Sequence, residues 1–151
     1  MRTIERDIIS GVMYSKDGKI LLALANPERK GTYAGSWRII GGGMENGETD
    51  RQTLDREILE ETGIDISSYP IEFIHAIKGE AEKTLKETGE RVFVNMNFRT
   101  YKVFINDKNA EEIKVTLDDE HSEYRWVDPS ELKSLHLAPP NIPLFTLLGY
   151  L

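Results

Sequence analysis

The chain has 151 residues, with 26 Asp and Glu against 19 Lys and Arg, a formal charge of −7. That length suits one domain with a core of its own, and 39% hydrophobic with 30% charged residues is a globular balance, not a disordered one. The absence of cysteine excludes disulfides, thiol catalysis and Cys-ligated zinc or iron–sulfur centres, and the acidic balance argues against a general nucleic-acid binder.

Met1 to Asp7 lacks the apolar stretch of a secretory signal, so a cytoplasmic protein is expected. No apolar run approaches the ~18 residues of a membrane helix. Ile8 to Tyr14 is predicted as a strand, followed by a turn over Lys16 to Lys19. Ile20 to Ala25 is the second arm of a hairpin. Asn26 to Gly35 reads as a loop. Trp37 to Ile40 is a short strand running into Gly41, Gly42 and Gly43. Thr49 to Thr62 is predicted as a helix, with Thr49 or Glu48 near its start and Gly63 as its C-cap. Ile71 to Ile77 is a strand. Glu80 to Glu90 is a charged insertion, a lid or a hairpin tip, and the tip is favoured. Val92, Val94, Met96 and Phe98 alternate within a strand from Arg91 to Ile105. Tyr124 to Val127 is the last strand. Pro129 to Leu135 is a short helix behind Asp128, and Leu144 to Leu148 closes the chain as another. The whole reads as one domain, residues 1–151, of α/β class with helices packed on a mixed sheet.

The informative segment is Gly42 to Ile64. Glu57, Glu60 and Glu61 stand at i, i+3 and i+4, so their carboxylates share one helix face. Like charges so placed destabilise a helix, which argues for another use. Hard oxygens converging from one face suit Mg²⁺ or Mn²⁺. Glu45 and Glu48 lie in the preceding Gly-rich loop, and Arg56 can pair with and orient them. A solvated, Glu-rich helix explains three glutamates alone. It does not explain the full pattern: Gly42, Glu48, Arg56, Glu57, Ile58, Glu60, Glu61, Gly63 and Ile64 at fixed spacing. Seven fixed identities match by chance about once in 10⁸ starts. The segment holds seven acids and two bases, so most of the net charge of −7 is local to it.

This segment resembles the signature of the Nudix hydrolases at every defining position. The resemblance implies an α/β/α sandwich around a mixed sheet, and hydrolysis of a nucleoside diphosphate linked to another moiety with Mg²⁺ or Mn²⁺. It implies Glu60 and Glu61 as metal ligands and Glu57 as a ligand or the base that activates water. It implies Arg56 as the residue that orients the loop, Glu48 as support for the metal shell, and the carbonyl of Gly41 as a further ligand. A glutamate outside the signature is also implied; Glu120, six residues before Trp126, matches, with Glu123 as competitor.

Substrate marks are sparser. The Pro of ADP-ribose members, the Tyr of diadenosine polyphosphate members and the SQPWPFPxS mark of NADH members are absent. What remains is the MutT-like nucleoside triphosphate class. Ala138 to Pro143 resembles the segment where MutT proteins place a base-reading Asn, here Asn141. Two departures stand out. The usual Pro before the signature glycines is Ile40, and the usual Arg late in the second strand is missing from Leu22 to Ala25. Phosphate contacts would then fall to Arg29, Lys30 or Arg38. Trp37 could stack on a base, although a Trp beside a strand is more often core. His75, His121 and His136 show no ligand spacing. The expectation is a monomer or homodimer that binds a small nucleotide, with no nucleic-acid or membrane partner. The rivals are a hydrolase of nucleotide sugars or other nucleoside diphosphate derivatives, and a non-catalytic nucleotide sensor.

Overall fold

Two strands divide the core into layers. Strand β1 (Arg2–Tyr14) and strand β2 (Ile20–Ala25) send successive side chains to opposite faces of the sheet. Ile9, Met13, Leu21 and Ala23 enter one buried cluster, while Val12, Ile20 and Leu22 enter another. The computed structural model describes residues 1–28 and 33–151. The other strands are β3 (Trp37–Arg38), β4 (Ile40–Gly43), β5 (Ile71–Thr84), β6 (Arg91–Phe104) and β7 (His121–Val127). The sheet runs β3-β2-β1-β6-β5, with β4 paired to β1 and β7 to β2. The β1–β6 pair is parallel from Arg2↔Val92 to Tyr14↔Phe104, and the remaining pairs are antiparallel, so the sheet is mixed as expected.

Helix α1 (Asp50–Thr62) covers the first cluster. Thr49 caps it: the Gln52 N–H donates to the Thr49 hydroxyl at 3.2 Å, and the Thr49 N–H donates to the Gln52 side chain at 2.9 Å. Gly63 ends it in the left-handed region at φ 74°, a conformation that costs glycine little. Leu54 and Ile58 are fully buried against the sheet, each contributing roughly 1.5–3 kcal/mol. Arg99 on β6 grips Asp50 through two hydrogen bonds of 2.8 Å and reaches Asp7 at 2.9 Å, tying the start of α1 to the sheet. Helix α2 (Asn141–Leu147) places Leu144 and Phe145 in the second cluster, beside Leu132 from a 3-10 turn at Pro129–Ser134. The result is a helix–sheet–helix sandwich. Among the described residues, no helix is long and apolar enough to cross a membrane.

Several boundaries differ from the predicted ones. β1 starts six residues before Ile8, and β5 continues past Ile77 to Thr84, because both pair along the full length of β6. Residues 80–84 are therefore the end of β5, and 85–90 form the hairpin tip, closed by a Leu85 N–H to Glu90 carbonyl bond of 2.8 Å. β7 begins at His121, and α2 begins three residues before Leu144. Pro143 is tolerated there because first-turn N–H groups have no helical acceptor.

Candidate active site

The glycines of β4 let the backbone lie tight under α1. A Cβ on Gly41 would strike the Ile9 carbonyl and Ser10, and one on Gly42 would strike the Glu57 carboxylate. Glu57 therefore sits directly over the Gly42 backbone. Arg56 fixes the loop that follows. Its Nε donates to Glu48 Oε2 at 2.8 Å and its Nη2 to Glu48 Oε1 at 2.9 Å. Nη2 also donates to the Gly43 carbonyl, and Nη1 to Glu57 Oε1, both at 2.9 Å. These bonds push the Glu48 carboxyl down to about 2 and raise the Arg56 guanidinium further above its ordinary value. One cation thus joins the loop, the strand and the helix face.

The helix glutamates divide by depth. Glu61 is 6% exposed and Glu57 is half-buried, whereas the Glu60 side chain is 58% exposed and paired with Arg56 at 3.4 Å. Burial pushes the Glu61 carboxyl up to about 9, and Glu57, Asp118 and Glu120 add repulsion. Glu57 is raised too, chiefly by burial, against the pull of Arg56. Glu61 Oε2 is buried without a hydrogen-bond partner among the described residues.

A turn from the far end of the chain closes the site. The Thr116 and Asp118 N–H groups donate to the Thr62 and Glu61 carbonyls at 2.8 and 3.2 Å. The Asn26 N–H donates to the Glu120 carbonyl at 2.9 Å. The turn is thereby pinned to both α1 and the end of β2. It brings Asp118 and His121 to Glu61, with one potential ligand atom from each within 4.8 Å of the others. His121 is buried, with Nδ1 2.8 Å from Asp118 Oδ1.

A cleft of about 290 Å³ opens beside these groups. Arg38, Gly41, Glu61, Glu120, Pro140 and Asn141 are among its lining residues. Phe98, Pro140 and Asn141 also line a neighbouring hollow of about 300 Å³, together with His75, Lys78 and Met96. Asn141 is buried at the join, where its Oδ1 accepts the Ile39 N–H at 3.2 Å.

The structure thus brings together Gly41, Glu48, Arg56, Glu57, Glu61 and Glu120, with Arg38 and Asn141 along the cleft. Glu60 stays at the rim. Trp37 is not brought in: its ring packs on the second core cluster, with the Arg125 guanidinium 5.0 Å from its centre. Glu123 is exposed on β7 opposite Leu24, away from the cleft lining. Arg29 and Lys30 lie outside the described residues. Asp118 and His121 were not anticipated. Their i, i+3 spacing beside Glu120 was visible, but their meeting with Glu61 depends on the fold.

The residues present suit a divalent cation. Several carboxylates converge, one buried oxygen has no partner among the described residues, and repulsion among the carboxylates calls for positive charge. Glu57 and Glu61 of α1, with Glu120 from the β7 turn, are the residues that could hold it.

A family model described as NUDIX domain matches residues 5–148. A nucleoside triphosphatase, NudI, from Enterobacter sp. (strain 638) is 30% identical over 97% of this chain and 99% of its own length. An octanoyltransferase from Myxococcus xanthus is 30% identical over 89% of this chain, which spans only 33% of that protein. The solution structure of the E. coli ORF135 protein superposes with a TM-score of 0.68 at 26% identity, over 97% of this chain and 90% of that one.

Proposed function

The chain belongs to the Nudix domain family and is a Nudix hydrolase; from that premise we propose that it hydrolyses a nucleoside triphosphate to the monophosphate and pyrophosphate with Mg²⁺ or Mn²⁺. The observation that carries this reading is the buried Glu61 carboxylate, whose Oε2 has no hydrogen-bond partner among the described residues, lining a cleft that Asn141 also lines. The nucleoside triphosphatase among its relatives supports the substrate class.

The residues divide the work. Glu57 and Glu61 would hold the cation from α1, with Glu120 from the β7 turn, Glu60 at the rim and the Gly41 carbonyl beside the cleft. When bound, the cation neutralises phosphate charge and makes water a stronger acid. Glu57 is also placed to take a proton from the attacking water. Burial raises its carboxyl, which makes it a better base. Arg56 and Glu48 keep the loop in register with α1. Arg38 would contact the phosphate chain, and Asn141, which lines the same cleft, would read the base. Water attacks one phosphorus, the bridging P–O bond breaks, and pyrophosphate leaves with its electron pair.

A panel of nucleoside triphosphates, nucleotide sugars and dinucleotides tests this, with phosphate and pyrophosphate release measured separately. Monophosphate and pyrophosphate from a triphosphate are expected. Turnover confined to nucleotide sugars would replace the triphosphate reading with the first rival.

A further inference from the structure

We propose that Asp118, His121 and Arg38 form a chain that aims a guanidinium at the substrate's phosphates, with His121 as a positioning residue. This rests on the reading of the cleft as a nucleotide site and deepens it.

The geometry is specific. Arg38 Nε and Nη2 lie 3.2 and 3.1 Å from His121 Nε2. His121 Nδ1 lies 2.8 Å from Asp118 Oδ1. Guanidinium offers only donors, so the ring nitrogen facing it accepts and carries no proton. The proton is then on Nδ1, donated to Asp118. Both ring nitrogens are engaged, which leaves His121 no lone pair for a cation although Glu61 is close by. Asp118 is itself fixed by its N–H to the Glu61 carbonyl, so the chain is anchored on α1.

The grip has a consequence for the guanidinium. Arg38 is the one basic side chain among the described residues lining the cleft. It shares that lining with Glu61 and Glu120, yet forms no ion pair with a carboxylate among the described residues. A mobile arginine there would collapse onto the acids and compete with a cation for them. Held by His121 along its Nε–Nη2 edge, Arg38 keeps Nη1 without a hydrogen bond among the described residues. A guanidinium presented edge-on matches the spacing of phosphate oxygens. Arg38 also stands directly opposite Ala23 in the β2–β3 ladder, beside the strand that lacks an arginine.

The test uses His121→Asn, His121→Gln, Arg38→Met and the double variant Arg38→Met with His121→Asn. Asn keeps the donor toward Asp118 but falls short of Arg38. Gln reaches Arg38 with an amide oxygen. For the triphosphate turned over, His121→Asn and Arg38→Met should each raise KM about 10–100-fold, the loss of a bond to a charged group. His121→Gln should recover most of that loss, and the double variant should be no worse than Arg38→Met alone. Additive losses, or equal damage by Asn and Gln, would overturn the proposal. So would a loss of Mn²⁺ affinity in nucleotide-free His121→Asn, which would make His121 a ligand. Calorimetric binding of inorganic pyrophosphate with Mg²⁺ separates this inference from the nucleotide reading. Weakened pyrophosphate binding in these variants supports the chain even if wild type hydrolyses no triphosphate. Unchanged binding removes it.

Discussion

Arg56 holds Glu48 through two parallel hydrogen bonds, 2.8 Å from Nε and 2.9 Å from Nη2, while the same guanidinium reaches the Gly43 carbonyl and Glu57. Lysine keeps the charge but cannot make the paired bonds. Arg56→Lys should therefore keep the fold and lower kcat by about 10–100-fold, the usual cost of losing an orienting partner. A steady-state assay beside a melting curve decides it. Activity near wild type would mean that the loop holds without the fork.

Gly42→Ala isolates the packing of Glu57 on the β4 backbone. The added methyl meets the carboxylate, the far end of a flexible side chain, so the side chain swings away and the fold survives. The melting temperature should change little while turnover falls steeply. A large drop in melting temperature with kcat retained in the remaining folded protein would show that Gly42 serves packing alone.

Glu61 sets a pH dependence. Its carboxyl rises from 4.5 to about 9 on folding, so the folded state binds a proton that the unfolded state releases. The stabilisation is complete below 4.5 and is lost as pH climbs through the folded value. Cation-free protein should therefore lose stability between about pH 5 and about pH 8, by at most about 1.4 kcal/mol per pH unit. Glu61→Gln removes the titrating group and should flatten the curve, melting above wild type at about pH 8 in chelator. Parallel curves for the two proteins would place the titration elsewhere.

Trp37 provides the contrast. Because its ring packs on the core under Arg125, Trp37→Ala should lower the melting temperature and leave KM for nucleotide nearly unchanged. A KM rise with an intact melting curve would return it to the substrate side.

The sequence made α1 and its carboxylates legible because helical spacing, capping residues and charge are all local. Thr49, Gly63, Leu54 and Ile58 each occupy the role that their type and position imply. The shared face of Glu57, Glu60 and Glu61 was legible too, but not the depth at which each sits. Depth depends on β4 and the β7 turn, so Glu60 ends at the rim and Glu61 in the interior. The outer halves of β1 and β5 were hidden for another reason. They carry charged, half-solvated residues, and only the long ladder with β6 keeps them extended. His121 lacked a signal because its partners, Arg38 and Glu61, are far away in sequence and meet it only when β7 pairs with β2.

The most direct measurement compares triphosphate hydrolysis and binding by wild type and Glu57→Gln, in Mg²⁺ and in excess chelator. Wild type should turn over only with the cation. Glu57→Gln should bind nucleotide but lose about 10²–10⁴-fold in kcat, the range expected for removing a positioned base. Undiminished hydrolysis in chelator, or by Glu57→Gln, would contradict a carboxylate-held cation as the centre of this cleft.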